Sequence, residues 1–143
     1  MSIDAGISPT DETLAKWNDF KMKKKIAALI FKIAKVDGKE KIVVEKEFPK
    51  EGFKQDHLID ALPKDEGRYI FIDFDYENDD GIRVYKILSI LYCPASAKAA
   101  RKMIYSTAYS ALNSAFGGGI SAEMQCDGPS DLSREHLLKK VKK

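Results

Sequence analysis

The carboxylates between residues 73 and 80 form a group whose type and spacing could hold a metal ion. Its members are Asp73, Asp75, Glu77, Asp79 and Asp80. A calcium-binding loop needs glycine at its sixth position and a bidentate glutamate at its twelfth. Counted from Asp73, those positions hold Asn78 and Val84, and a count from Asp75 fails in the same way. The spacing does not fit the calcium template, and we predict no metal site.

A glycine run and two histidines are the remaining groups that could support catalysis. The run 117–119 lacks the Lys-Ser/Thr pair of a phosphate-binding loop, and it follows a predicted helix instead of preceding one. His57 and His136 lie in separate charged segments, with no nucleophile at a known motif spacing. We therefore interpret both histidines as surface residues, and we expect no enzymatic activity and no cofactor.

The stretch from Cys93 to Leu112, CPASAKAARKMIYSTAYSAL, has the pattern of a long helix with a basic edge. Ser96 is its predicted N-cap. The apolar residues that recur at helical spacing predict its buried face, and they are Ile104, Ala108, Ala111, Leu112 and Ala115. Arg101, Lys102 and Tyr105 are expected to project away from that face. A rigid element therefore presents the basic edge, which is a candidate binding surface.

Three blocks of sequence, taken in order, resemble the actin-depolymerising factor/cofilin family. Residues 94–112, with KMIYS at 102–106, resemble the family's long actin-contacting helix, SPxxAxxRxKMxYASSKxAL. DETL followed by WNDFK, within residues 11–21, is similar to its first helix, DExLxxFNDLK. RYIFIDFDY at 68–76 is similar to its central strand, CRYAxYDFEY. The agreement in order over most of the chain makes a chance match improbable.

The resemblance implies that the long helix enters the cleft between two actin subdomains and that the N-terminal arm contacts actin beside it. The residues implied for monomer and filament binding are Ser2, Ile3, Asp4, Ala5, Gly6, Arg101, Lys102, Met103, Tyr105 and Ser106. The motif's other basic position holds Ala100, and Arg101 follows one residue later, a rotation of about 100° around the axis. The family's phosphorylated serine position holds Ala5, so either Ser2 is a displaced acceptor or the arm is unregulated.

A second surface, which contacts only filaments, is also implied by the resemblance. Its residues are Arg83, Lys86, Lys139, Lys140 and Lys143. Two positions depart from the family pattern, because Val84 takes the first basic strand position and Lys139 stands where a glutamate is often found. For the C-terminal lysines, a solubilising basic tail is the alternative.

The activity implied by the resemblance is binding of actin monomers and filaments, with preference for the ADP form, followed by filament severing and depolymerisation. Two alternatives stay open. One is a binder that sequesters monomers or decorates filaments without strong severing. The other is a phosphoinositide-binding module, which would use Lys23, Lys24, Lys25 and Lys102. The lysine cluster could also serve nuclear entry, whereas a net charge of +2 without a base-stacking motif argues against nucleic-acid binding.

The pattern of apolar residues predicts one α/β domain over residues 1–143, with 1–7 as a flexible N-terminal arm. The predicted strands are 26–36, 42–44, 69–76, 84–92 and 120–126. The predicted helices are 9–20, 53–62, the long helix ending at 117, and a last helix from 131 or 133 to 142. We expect a mixed, mostly antiparallel sheet of about five strands sandwiched by helices.

Composition fits a globular domain, with 44% hydrophobic and 32% charged residues. The chain has no apolar run long enough for a membrane span, and residues 1–10 do not resemble a secretory signal. We therefore expect a cytoplasmic monomer associated with the actin cytoskeleton. Cys93 and Cys126 match no metal motif and are interpreted as buried, reduced packing residues.

Overall fold

Six strands form one mixed sheet in the computed structural model, which describes residues 6–142. They are β1 (Ser8–Pro9), β2 (Ile26–Val36), β3 (Lys39–Pro49), β4 (Arg68–Glu77), β5 (Arg83–Tyr92) and β6 (Ala122–Cys126). The spatial order is β1-β3-β2-β4-β5-β6; the outer pairs β1–β3 and β5–β6 are parallel, and the inner pairs are antiparallel. The predicted α/β class is confirmed. The sixth strand is β1, whose two residues are too few to give a periodic signal.

Helices cover both faces of the sheet. They are α1 (Asp11–Lys23), α2 (Gln55–Asp60), α3 (Ala99–Phe116) and α4 (Arg134–Val141), and a short 3₁₀ turn spans Pro129–Leu132. One apolar layer joins the sheet to α1 and α3, and a second joins it to α2, the 3₁₀ turn and α4. Because β4 contributes side chains to both layers, it is buried along nearly its whole length.

The β2–β3 hairpin forms where the sequence predicts it. Asp37 and Gly38 have φ angles of 53° and 82°, which two-residue hairpin turns require at both central positions. Val36 pairs with Lys39 across this turn. The Asp-Gly pair therefore sets the register of a hairpin whose strands each span eleven residues.

The start of the first helix differs from the prediction. Ser8 and Pro9 pair with β3, and α1 begins at Asp11, after Thr10 accepts a 3.1 Å hydrogen bond from the Thr13 amide. The pairing of Pro9 with β3 keeps it out of the helix, and Thr10 provides the capping oxygen instead. Ile7 is 4% exposed, so the predicted exposed arm is wrong at that residue, while residues 1–5 lie outside the described residues.

The start of α3 also differs from the prediction. The hydroxyl of Ser96 donates to the Lys64 carbonyl at 2.5 Å, and the helix begins only at Ala99. Its N-cap is Lys98, whose side chain makes no capping hydrogen bond. The buried residues of α3 are Tyr105, Ala108, Leu112, Asn113 and Phe116, whereas Ala115 is exposed. The buried face therefore keeps Ala108 and Leu112 of the predicted row, and Tyr105 and Phe116 complete it in place of Ile104 and Ala115.

The end of α3, the start of α4 and the cysteines agree with the sequence analysis, whereas α1 extends to Lys23 and α2 covers only Gln55–Asp60 of the predicted 53–62. Gly117, with φ at 75°, ends α3, and Ser133 caps α4 by accepting a 3.2 Å hydrogen bond from the His136 amide. Cys93 and Cys126 are both free and buried. Burial raises the pKa of both thiols, that of Cys126 to about 12, so both remain protonated at neutral pH.

Candidate functional site

The first turn of α3 concentrates positive charge where a helix tolerates it least. Lys98, Arg101 and Lys102 lie in or beside this turn, and it has no acidic residue. The N-terminus of a helix carries a partial positive charge, so a cation there costs about 0.3–1 kcal/mol. These cations therefore do not stabilise the start of the helix. Residues that work against local stability are expected at functional sites.

Lys102, Met103 and Ser106 share an accessible side of α3. Lys102 is partly exposed, and its Nζ donates to the Ala95 carbonyl at 3.0 Å. Met103 is 71% exposed, unusually high for a large apolar side chain, and Ser106 is also exposed. Residues three and four apart are neighbours on a helix surface. The structure therefore brings together three of the residues predicted to contact actin.

Tyr105 does not belong to this surface, contrary to the prediction. Its side chain is 2% exposed, and its hydroxyl accepts a 2.9 Å hydrogen bond from the Ile33 amide. Its own carbonyl accepts a 2.8 Å hydrogen bond from the Tyr69 hydroxyl, and burial raises the pKa of Tyr105. The spacing from Tyr105 to Ala108 and Leu112 is that of the buried row, which the sequence analysis overlooked.

A glycine beneath α3 permits the tyrosine to pack there. A Cβ atom at Gly67 would lie 2.9 Å from the ring of Tyr105, closer than real side chains approach. Gly67 therefore provides the space in which Tyr105 holds the start of α3 against the sheet.

Arg101 is directed toward the sheet. Its Nη1 donates to Glu40 Oε1 on β3 at 2.8 Å, and its guanidinium lies 5.9 Å from the ring centre of Tyr105. The hydrogen bond to Glu40 raises the pKa of Arg101. Sequence reasoning missed Glu40, because the two residues are 61 positions apart and no local spacing connects them.

The second predicted surface is assembled around the end of α4. Lys86 on β5 donates to the Val141 carbonyl at 3.3 Å, and Lys142 lies 3.5 Å from Asp79 in the β4–β5 turn. These contacts join the strand, the turn and the helix. Lys139 and Lys140 are exposed on this helix.

One member of the predicted filament set stands apart from that group, and another lies outside the described residues. Arg83 is three residues from Lys86, and side chains at odd separations in a strand point to opposite faces. Arg83 pairs with Asp75 at 3.3 Å, and Lys143 lies beyond the described residues. Sequence reasoning also missed Ile82, a 59% exposed apolar residue in the turn.

The lysines predicted to bind phosphoinositides do not form one patch. Lys23 and Lys24 lie at the C-terminal end of α1, and Lys25 follows them. The neighbouring Lys21 donates to the Gly118 carbonyl, beyond the C-terminal end of α3. Lys102 lies near the other end of α3, about 20 Å away along the helix axis. The Nζ of Lys24 also lies 3.7 Å from the buried carboxylate of Asp73, which neutralises part of the positive charge of the lysine.

A cavity of about 630 Å³ lies beside the part of β4 that β2 does not cover. Asp73 lines it with a buried carboxylate that accepts no hydrogen bond but lies 3.0 Å from Lys50 Nζ. Arg134 donates to the Asp75 carbonyl at 2.6 Å. Inward-pointing charges and covered carbonyls protect strand edges from pairing with other chains. We interpret this cavity as a protected sheet edge.

Within residues 6–142, no group of three or more His, Cys, Asp or Glu residues is arranged to hold a metal ion. Over the same range, no helix combines the length and apolar character needed to cross a membrane.

Comparison with known proteins identifies the family to which a chain with this fold and this surface belongs. The model for cofilin/tropomyosin-type actin-binding proteins matches residues 6–142. Actophorin from Entamoeba histolytica is 36% identical over 138 residues, which cover 96% of each chain. The crystal structure of Streptomyces griseoflavus cofilin has a TM-score of 0.81 at 29% identity, covering 95% of this chain and 97% of that one. Glia maturation factor from Caenorhabditis elegans shares the fold, with a TM-score of 0.75 at 20% identity and 98% coverage of both chains. This chain belongs to the family of cofilin/tropomyosin-type actin-binding proteins.

Proposed function

We propose that this protein binds actin monomers and filaments in the cytoplasm, prefers the ADP form, and promotes filament severing and depolymerisation. The observation that carries the proposal is the exposed group of Lys102, Met103 and Ser106 on a helix whose first turn holds cations and no acidic residue. Family membership supplies the partner, since the matching model describes actin-binding proteins. The proposed action is binding alone, with no covalent step and no cofactor.

The proposed contact is a helix in a groove. Met103 contributes apolar area, and Lys102 orients the helix against an acidic partner surface. In a filament, Lys86 and the lysines of α4 contact the neighbouring subunit, and the contacts of α4 with β5 and the turn hold that second surface in place. Binding that favours a twisted filament geometry shifts the filament population toward it. Boundaries between decorated and bare segments are then mechanically mismatched and break.

A binder that decorates filaments or sequesters monomers without strong severing is the alternative function. Ala100 at the motif's other basic position supports it, as does the engagement of Arg101 by Glu40, because both reduce the charge available to actin. Imaging of single filaments distinguishes the two. Severing raises the frequency of breaks at sub-saturating doses, whereas decoration or sequestration leaves it unchanged.

Replacing Lys139, Lys140 and Lys143 together by glutamate should spare monomer binding and weaken filament binding by more than about tenfold. Each reversal removes an exposed interface charge worth roughly 0.5–1 kcal/mol and adds a repulsive one. Monomer affinity measured by fluorescence titration is the internal control, and co-sedimentation measures filament binding. An equal loss of both affinities would contradict a separate filament surface.

A further inference from the structure

The distal half of the β2–β3 hairpin, nearest the turn, extends past the region in which β2 pairs with β4. β2 pairs with β4 only from Ala28 to Phe31, so the strand residues nearest the turn have no β4 neighbour. β1 lies along this distal half, with Ser8 opposite Lys41. The residues that lead to the proposed actin-binding arm are therefore attached to the projecting part of the hairpin.

Two contacts tie this projecting hairpin to the start of α3. The buried one is the hydrogen bond from the Ile33 amide to the Tyr105 hydroxyl. The other is the 2.8 Å ion pair of Arg101 with Glu40, whose side chains are 38% and 31% exposed. Glu40 immediately precedes Lys41, the partner of Ser8, so this ion pair lies beside the pairing of β1 with β3.

The start of α3 needs such an external contact. Its N-cap side chain makes no capping hydrogen bond, and its first turn has no acidic residue to offset the helix dipole. Glu40 supplies from β3 the negative charge that the helix itself lacks. It also compensates Arg101, one of the cations that disfavour this turn.

We propose that Glu40 and Arg101 are a positioning pair that fixes the first turn of α3 against the hairpin, so that Arg101 serves the actin interface through Glu40 without touching actin. This inference rests on the proposed actin binding. Arg101 then supports the contact surface instead of belonging to it, and Glu40 has the role of holding Arg101 in place.

The expected effect on affinity depends on the fraction of molecules in which the first turn of α3 has its binding-competent conformation. Apparent affinity falls in proportion to that fraction. Because a partly exposed ion pair stabilises a structure only modestly, its loss should weaken monomer binding about two- to fivefold.

A double-mutant cycle of E40Q, R101Q and the combined variant tests the pair by monomer titration. Each single change should weaken binding about two- to fivefold, and the combined change should weaken it no further. The swapped variant, E40R with R101E, should recover most of the affinity. The control is E47Q, which removes the 2.7 Å ion pair of β3 with Lys16 on α1 and should leave affinity unchanged. If R101Q weakens binding while E40Q leaves it unchanged or strengthens it, Arg101 contacts actin directly and the proposal is wrong.

Amide hydrogen exchange of the protein alone separates this inference from the proposed function. E40Q should accelerate exchange at residues 101–104 relative to the wild type and to E47Q, whether or not the protein binds actin. Unchanged exchange at those amides would overturn the positioning role. Absence of actin binding by the wild type, with accelerated exchange in E40Q, would reject the proposed function and keep the structural pair.

Discussion

Replacing Lys102 by alanine is expected to weaken binding to monomeric and filamentous actin alike, by about 1–3 kcal/mol. Lys102 lies on the exposed side of α3 beside Met103, and the only hydrogen bond of its side chain among the described residues is to the Ala95 carbonyl. That contact is exposed, so its loss should cost little stability. The lost affinity therefore reports on the partner interface.

Monomer titration and filament co-sedimentation measure the two affinities of the Lys102 variant. The matched control is Lys54→Ala, an exposed lysine that precedes α2 on the opposite face of the sheet, and it should bind like the wild type. Unchanged monomer affinity for Lys102→Ala would mean that α3 is not the contact.

Replacing Trp17 by alanine is expected to lower the free energy of unfolding by about 4 kcal/mol. The indole is 1% exposed, stacks on Phe116 at 4.6 Å, and packs edge-on against Phe71. Its Nε1 donates to the Phe116 carbonyl at 2.8 Å, so truncation also leaves a buried acceptor unpaired. Because Phe116 ends α3, the same contacts secure the far end of the proposed binding helix.

Urea denaturation compares the Trp17 variant with Met22→Ala, which truncates a 74% exposed side chain on the same helix and should change stability by less than about 0.5 kcal/mol. If Trp17→Ala does not fold, Trp17→Phe keeps the aromatic packing and isolates the lost hydrogen bond. A loss below about 1 kcal/mol for both Trp17 variants would contradict the assigned role of this side chain.

Local signals were sufficient for most elements of the fold. The Asp37-Gly38 turn sets the register of one hairpin, and strands with apolar residues on both faces identify β4 and β5 as central. The errors at Pro9 and Ser96 have a common cause. In each case a partner distant in sequence, β3 for Pro9 and the Lys64 carbonyl for Ser96, decides the local conformation.

The candidate site was predictable to the extent that helical spacing determines exposure. Lys102 and Met103 follow from the amphipathic pattern of α3, and both are accessible. Tyr105 could have been placed in the buried row by the same spacing. The engagement of Arg101 could not be predicted, because Glu40 reaches it only through the packing of the hairpin against the helix.

Amide hydrogen exchange of this protein, with and without monomeric ADP-actin, tests the central claim most directly. Proposed docking of α3 predicts slower exchange at residues 99–106 in the complex, with no change in α2, which lies on the opposite face of the sheet. Unchanged exchange at residues 99–106 despite measured binding, or slower exchange confined to α2, would contradict α3 as the actin-binding helix.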